Sequence, residues 1–229
     1  MIRFICRLTV LAALVSSFGL GDTLFDAEKL SDVLQAKAYA QEGRRAATPK
    51  RVAAKAHQKR VLMVIAPKNF RDEELFKTRE VIEAAGHSVI LASLSTEESV
   101  GMLGGKAKPD ITIAEAKAAE YDAVVFVGGS GAAVLLDHAQ TLALARDADR
   151  AGKLVAAICI APGILANSDL LRGKRATSWS GEHDHLKEKG AKVTNKRVEQ
   201  DGRIITGNGP SAAKAFGEAI VRYLAKSQH

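Results

Sequence analysis

The sequence predicts an α/β domain with a mostly parallel sheet over residues 60–229, and two features of the pattern favour this fold. Short apolar runs alternate with helical segments from Arg60 onward, which is typical of layered α/β domains. One of these runs, residues 153–158, leads directly into Cys159, and a helix can begin at Pro162. The sequence therefore predicts a layered domain with a cysteine at a strand-to-helix turn.

The first part of this domain carries the sheet. Four buried strands are predicted, over residues 61–66, 89–92, 123–127 and 154–158. A helix over residues 73–85, closed by Gly86, separates the first two strands. The glycines of residues 101–113 favour a small hairpin or loop, and a short helix is expected over residues 114–120.

The remaining elements follow the cysteine turn. We expect a brief strand near residues 175–177, a helix over 183–189, strands over 196–199 and 203–206 around Asp201-Gly202, and a terminal helix over 211–226. Reactive groups of parallel sheets gather at the carboxyl ends of the strands. Residues 67–74, 128–133 and 159–162 each follow a predicted strand, so these three segments are predicted to converge.

The N-terminus resembles an export signal. Basic residues precede an apolar run over residues 8–20, which has the length of a signal-peptide core, and a cleavage site of the A-x-A type ends at Ala40. The charged stretch over residues 21–37 is unusual for a signal peptide. Residues 1–40 are therefore predicted to be a signal peptide or membrane-targeting segment, with an uncleaved anchor or a misassigned start as alternatives. The predicted location is the bacterial periplasm or envelope.

The positive charge is concentrated near the N-terminus. Residues 1–60 hold 11 basic and 5 acidic side chains, whereas residues 61–229 hold 22 and 21. The predicted domain is nearly neutral, so the sequence gives no indication of nucleic-acid binding. Residues 41–59 are interpreted as a basic flexible linker that associates weakly with the envelope. Removal of residues 1–40 would leave Cys159 as the sole cysteine, which excludes an intrachain disulfide.

The position of Cys159 suggests a reactive thiol. The free N–H groups at a helix N-terminus favour negative charge, so a cysteine there is expected to favour the thiolate. The alternative is that Cys159 is a small buried apolar residue, as most free cysteines are.

Four motifs together resemble the ThiJ/PfpI superfamily over about residues 60–226. They are VLMVIAPKNFRDEEL, VVFVGGSGA, AAICIAPGILA with LLRGKRATSW after it, and VEQDGRIITGNGPSAAKAFGEAIVRYL. This superfamily contains the parkinsonism-associated protein deglycase and the PfpI-type peptidases. The resemblance implies a flavodoxin-like sheet of the kind shared with class I glutamine amidotransferases, and a homodimer.

The resemblance also implies a set of site residues. The nucleophile falls on Cys159 and its partner carboxylate on Glu74, with Glu73 as the rival position. Backbone N–H groups around Gly128, Gly129 and Ile160 match an oxyanion pocket. The alternatives are a solvated carboxylate in a first helical turn and an ordinary tight turn at the paired glycines.

The sequence departs from the superfamily pattern where a histidine or second glutamate is expected. Ile160 replaces the histidine that follows the nucleophile in PfpI-type peptidases, and Ala133 replaces their glutamate. Trp179 stands where the deglycase branch has a histidine. His183 is a candidate substitute base. A His-x-His metal site at His183 and His185 is disfavoured because residues two apart diverge on a helix.

Three functions are compatible with this pattern. The leading one is a cofactor-independent glyoxalase or deglycase that protects against reactive carbonyl compounds or acts on glycated adducts, through Cys159 and Glu74. The second is an oxidation sensor or protective protein that uses Cys159 without catalysis. The third is a cysteine peptidase or amidase, which Ile160 disfavours.

Overall fold

The fold is built around one seven-stranded sheet. The computed structural model describes residues 58–226, so the predictions for residues 1–40 and most of 41–59 lie outside the described residues. The strands are β1 Arg60–Val64, β2 Lys68–Phe70, β3 Ser88–Ser93, β4 Ser99–Gly101, β5 Lys106–Ala107, β6 Ile111–Thr112, β7 Ala123–Phe126, β8 Leu154–Ile158, β9 Arg175–Ala176, β10 Lys192–Val193, β11 Val198–Asp201 and β12 Ile204–Gly207. The helices are α1 Asp72–Ala84, α2 Ala139–Arg150, α3 Pro162–Asn167, α4 His183–Glu188 and α5 Ala213–Lys226.

The sheet has the order β11-β12-β8-β7-β1-β3-β6. All neighbouring strands in it are parallel except β11, which pairs antiparallel with β12 across the turn at Gly202. Strands β1, β7 and β8 lie in the middle of the sheet, so they bury both faces. This position explains their continuous apolar sequences, because a strand covered on both sides has no solvent-facing residues.

Helices cover both faces of the sheet. Leu62 of β1 packs in a cluster with Leu144 of α2 and Ile164 of α3. Its neighbour Met63 packs on the opposite face with Ile82 of α1 and Phe216 of α5. Successive residues of a strand point to opposite faces, so one strand supplies both halves of the core. The predicted α/β layered sandwich with a mostly parallel sheet is confirmed.

The short predicted helix over residues 114–120 is wrong. The structure has only a single 3-10 turn there, Ala118–Glu120. The carboxylate of Glu115 folds back to accept hydrogen bonds from the N–H of Thr112 at 2.9 Å and its hydroxyl at 2.8 Å. These bonds stabilise a local turn rather than a continuing helix, as is common for Thr near a chain reversal.

Helix α2 was not predicted, although its sequence carries a helical pattern. Its buried residues are Thr141, Leu144, Ala145 and Ala148, which share one helix face. Three of these four side chains are small or polar, so the apolar signal is weak. Of the hairpin or loop predicted over residues 101–113, the structure forms a hairpin that begins earlier, with β4 pairing antiparallel with β5, and the edge strand β6 was missed.

Within residues 58–226, no helix combines the length and apolar character needed to cross a bilayer.

Truncating Leu91 is expected to destabilise the domain strongly. Leu91 of β3 is 1% exposed, and a buried Leu→Ala change removes about 2–5 kcal/mol from the free energy of unfolding. Leu103, which is 63% exposed, is the matched control, and Leu103→Ala should change that free energy by less than about 1 kcal/mol. Urea unfolding of both variants measures the difference. Equal effects of the two substitutions would contradict the described core.

Candidate active site

The cysteine turn connects β8 to α3 in a strained conformation. Cys159 has φ = 67°, in the left-handed region that residues other than glycine rarely adopt. Its N–H donates to the carbonyl of Gly207 at 2.9 Å, and its carbonyl accepts from the N–H of Trp179 at 2.8 Å. These two hydrogen bonds fix the turn from both sides. Backbone strain held in this way is typical of functional sites.

Glu74 lies in the first turn of α1 with its side chain fully buried. Its Oε2 atom accepts a hydrogen bond from the N–H of Gly128 at 3.1 Å. Oε1 is also buried and has no hydrogen-bond partner of standard geometry among the described residues. The carboxyl group interacts with the neighbouring Cys159 thiol, whereas Arg71 and Glu73 act on it only through their charges. The structure therefore pairs Cys159 with Glu74.

Glu73, the rival position, points elsewhere. Its carboxylate forms a two-pronged ion pair with Arg71, at 2.8 Å and 3.1 Å. The side chains of both residues are about one-quarter exposed. An ion pair with this geometry occupies both carboxylate oxygens, so Glu73 does not reach the cysteine.

Gly128 lies between Cys159 and Glu74 and allows the two side chains to approach closely. A Cβ atom at this position would lie 2.6 Å from Cys159 Cβ and 2.6 Å from Glu74 Oε2. The carbonyl of Gly128 in turn accepts the N–H of Arg71 at 3.0 Å, next to the start of α1. Only a residue without a side chain fits between the two groups, so this glycine is needed for close approach rather than for a turn.

Burial dominates the ionisation of this pair. It raises the pKa of Glu74 from 4.5 to about 7. It also raises the pKa of the Cys159 thiol to about 12, and the charge of Glu74 adds to this effect. We predicted that the helix N-terminus would favour the thiolate of Cys159. This prediction is wrong, because the raised pKa favours the protonated thiol. Because the pKa of the thiol lies above that of Glu74, the sulfur keeps its proton at rest, and the neighbouring carboxylate is the group placed to accept it.

Backbone donors surround the sulfur of Cys159. The N–H groups of Gly129 and Ile160 face it and lower the pKa of the thiol, although burial and the Glu74 charge outweigh them. Gly129 has φ = 96° and packs directly against the backbone of Asn69 to Arg71, where a side chain would clash. Two donors aimed at one point can also hold a developing oxyanion beside the sulfur.

Cys159 opens onto a cleft of about 500 Å³. The lining residues are Arg71, Met102, Gly129, Ser130, Ala133, Leu136, Cys159, Ile160, Trp179, Glu182 and Pro210. All three residues that replace an expected histidine or glutamate, Ala133, Ile160 and Trp179, are among them. Within the described residues, the lining of this cleft contains no histidine. The walls are mostly apolar, with Arg71 and Glu182 as the charged exceptions.

The structure does not bring His183 to Cys159. His183 lines a neighbouring polar cleft with Ser178 and Asn208, and its Nε2 lies 3.3 Å from the carbonyl of Ser178. The interpretation of His183 as a substitute base is thus not supported. The predicted helix is present as α4, and within residues 58–226 no group of three His, Cys, Asp or Glu side chains could hold a metal ion.

Glu182 lines the cleft although the sequence did not predict it as a site residue. It lies in a 3-10 turn before α4, and its carboxylate accepts from or shares a proton with His185 at 2.9 Å. The sequence gives no periodic or motif signal for this position, because Glu182 reaches the cleft through the 3-10 turn Ser180–Glu182. Met102 also lines the cleft and was not predicted, because it reaches the cleft from the loop between β4 and β5. The carboxylate of Asp72 accepts the N–H groups of Leu103 and Gly105 and thereby holds this hairpin at the cleft.

Comparison with known proteins decides the family. Residues 59–223 match the model of the DJ-1/PfpI family. The chain belongs to the DJ-1/PfpI family. An uncharacterized protein of Methanocaldococcus jannaschii is 38% identical over 171 residues, which cover 73% of this chain and 83% of the relative. The resemblance to the ThiJ/PfpI superfamily predicted from the four motifs is confirmed.

Relatives of this DJ-1/PfpI member include named enzymes. The deglycase PfpI of Pyrococcus furiosus is 28% identical, with 71% of this chain and 98% of the relative covered. The glutathione-independent glyoxalase of Caenorhabditis elegans is 28% identical, with 74% and 90% covered. A solved ThiJ/PfpI domain protein from Brachyspira murdochii superposes with a TM-score of 0.73 at 34% identity, covering 74% of this chain and 98% of that one.

The ionisation of Glu74 predicts a pH-dependent stability. The folded state holds the Glu74 proton up to about pH 7, whereas the unfolded chain releases it near 4.5, so stability falls as pH rises between these values. The expected loss is about 3 kcal/mol at 1.36 kcal/mol per pKa unit. Urea unfolding at pH 4.5 and 7.5 should show this loss in the wild type relative to Glu74→Gln, which cannot ionise.

Glu73→Gln serves as the control, because its carboxylate is paired at the surface. This variant should keep the same fall in stability as the wild type. A parallel pH dependence of wild type and Glu74→Gln would contradict the burial of a titrating Glu74.

Proposed function

We propose that this chain is a cysteine-dependent enzyme of the glyoxalase or deglycase type, acting on small reactive carbonyl compounds. One observation carries the proposal: the Cys159 thiol lies beside the buried Glu74 carboxyl group and two backbone N–H donors, at the base of an open cleft. A nucleophile, an acid–base group and an oxyanion pocket at one point are the requirements for addition to a carbonyl carbon.

The first step joins the thiol to an aldehyde such as that of methylglyoxal. Glu74 accepts the thiol proton while sulfur bonds to the aldehyde carbon, C1. The carbonyl oxygen becomes an oxyanion beside the N–H groups of Gly129 and Ile160, and it then takes the proton from Glu74. The product is a hemithioacetal. Because the pKa of Glu74 is about 7, this carboxyl group can both accept and return a proton near neutral pH.

The following steps convert the hemithioacetal to a hydroxy acid. The Glu74 carboxylate removes the C1 proton while the C2 carbonyl oxygen takes up a proton, which leaves an enediol across C1 and C2. A proton then adds to C2 while the C1 hydroxyl releases its proton, which gives a thioester of Cys159. Water then attacks the thioester carbon, the carbon–sulfur bond breaks, and lactate leaves as the thiol is restored. One methylglyoxal and one water yield one lactate, with no net oxidation and no external electron acceptor.

The cleft favours small and uncharged substrates. Met102, Leu136 and Ile160 give it apolar walls, while the Arg71 charge is neutralised by Glu73. The names of two relatives, a deglycase and a glutathione-independent glyoxalase, support this class of chemistry. A cysteine peptidase is less well supported, because the lining of the cleft within the described residues lacks the histidine such enzymes use.

Methylglyoxal turnover tests the proposal directly. Wild-type protein should form lactate, and Cys159→Ala should abolish it because no thioester can form. Glu74→Gln should lower the rate by about 10²-fold or more through loss of the acid–base group. Glu73→Gln is the matched control and should retain activity. Wild-type protein that consumes no methylglyoxal, or an active Cys159→Ala variant, would overturn the proposal.

An oxidation-sensing role is the second candidate, favoured by the same donors. The N–H groups of Gly129 and Ile160 and the proton of Glu74 could stabilise a sulfinate at Cys159. Limited peroxide should then add two oxygen atoms to Cys159 before any methionine is oxidised, as measured by intact mass and peptide mapping. Earlier oxidation of methionines would exclude this role.

The remaining expectations concern assembly and location. We propose that the protein forms a homodimer, is exported to the periplasm or envelope, and associates weakly with the envelope through the basic residues 41–59. These points rest on the family resemblance and on the N-terminal sequence alone.

A further inference from the structure

Glu182 occupies the wall of the cleft next to the cysteine turn. Its backbone N–H donates to the carbonyl of Trp179 at 2.9 Å, and the N–H of Trp179 donates to Cys159. A Cβ atom on Gly163, in the first turn of α3, would lie 2.9 Å from Glu182 Oε2. The carboxylate is thus seated against the helix that begins just after the nucleophile. Its side chain is 15% exposed, and it lines the same cleft as Cys159.

Glu182 is the first member of a chain of hydrogen bonds. Its Oε2 lies 2.9 Å from Nδ1 of His185, and Nε2 of His185 lies 2.9 Å from Oδ1 of Asn167. The amide nitrogen of Asn167 donates to the carbonyl of Leu136 and to Asp137 Oδ1, both at 3.0 Å. Two acceptors fix the orientation of this amide, so its oxygen must face the histidine.

Both ring nitrogens of His185 face oxygen atoms, yet a neutral imidazole has only one N–H. If Nε2 carries that N–H and donates it to Oδ1 of Asn167, Nδ1 has no proton for its contact with Glu182. The network therefore needs one proton more than a carboxylate and a neutral imidazole contain. The contact at Nδ1 then requires a further proton, shared between Nδ1 and Oε2 of Glu182. The Glu182–His185 pair is therefore built to hold a transferable proton at the wall of the cleft.

The conversion proposed above needs a proton donor at this wall. Glu74 lies next to the sulfur and so serves C1, the carbon bonded to it. C2 of the substrate is one bond farther from sulfur, toward the open cleft. Among the described residues that line this cleft there is no histidine, and Glu182 is the carboxyl group among them. The source of the C2 proton is otherwise unassigned.

We propose that Glu182 is a second catalytic acid, which delivers the proton to C2 of the enediol, and that His185 and Asn167 are positioning residues. The inference rests on the proposed function. The proton that leaves C1 resides on Glu74, and the proton that reaches C2 comes from the Glu182–His185 pair. Exchange with solvent resets both groups, so the cycle consumes no net proton.

Turnover of methylglyoxal in D₂O separates this role from a structural one. Glu182→Gln should lower the rate of lactate formation by about 10²-fold, with little change in KM. The enediol should still form through Glu74 and return to the aldehyde by taking deuterium at C1. Recovered methylglyoxal should therefore carry deuterium at C1, which ¹H NMR measures. Cys159→Ala should give neither lactate nor exchange.

Two further variants complete the experiment. Glu182→Asp keeps the acid and should retain more activity than Glu182→Gln, whereas equal losses in both would indicate packing and overturn the inference. Glu188→Gln, an exposed residue on α4, is the control and should match the wild type. Full lactate formation by Glu182→Gln would also overturn the inference. So would a Glu182→Gln variant that forms no lactate and shows no deuterium exchange at C1. Wild-type protein that forms no lactate would instead refute the proposed function itself.

Discussion

The contact between Glu74 and Cys159 across Gly128 is the constraint on which the site depends. Three separate segments must meet for it: the start of α1, the turn after β7 and the turn after β8. The N–H of Gly128 holds the carboxyl group at 3.1 Å, and its carbonyl is held by Arg71 at 3.0 Å. A side chain on Gly128 would separate the two reactive groups. The parallel order of β1, β7 and β8 brings these segments to the same edge of the sheet.

The site is stabilised against two unfavourable features. Cys159 has a left-handed backbone conformation, and Glu74 is a carboxyl group with no access to solvent. Conformational strain of this kind costs about 1–3 kcal/mol, and burial of the acid adds an electrostatic penalty. The surrounding core must supply this free energy. The core contributes this free energy largely through β8, which leads into the turn, and its neighbour β7, because every residue of both strands is buried.

The absence of a histidine from the lining of the cleft, within the described residues, changes how acid–base chemistry is distributed there. Glu74 holds a proton near neutral pH because it is desolvated, whereas Glu182 is placed to share one with His185. Glu182 lines the cleft, whereas Glu74 is buried against Cys159, and the two carboxyl groups have different partners. Two residues of the same type can take separate roles when their environments differ in this way.

The sequence by itself determined the fold class and the position of Cys159 at a strand-to-helix turn. Continuous apolar strands, the helix start at Pro162 and the cysteine between them are local features, so residues 153–163 could be interpreted without knowledge of the rest. Motif resemblance supplied Glu74 and the paired glycines. Helix α2 was not predicted, because its buried face consists largely of alanine and threonine, which give a weak apolar signal.

Only the tertiary structure decided the chemistry of the site. A helix N-terminus predicted a thiolate at Cys159, yet burial and the Glu74 charge raise the pKa of the thiol. Both effects depend on which groups are packed nearby, and sequence spacing does not encode that. Glu182 and His183 are adjacent in sequence, but they line different clefts at the junction of the 3-10 turn with α4. Side-chain direction at such a turn is fixed by long-range hydrogen bonds, including the one from Trp179 to Cys159.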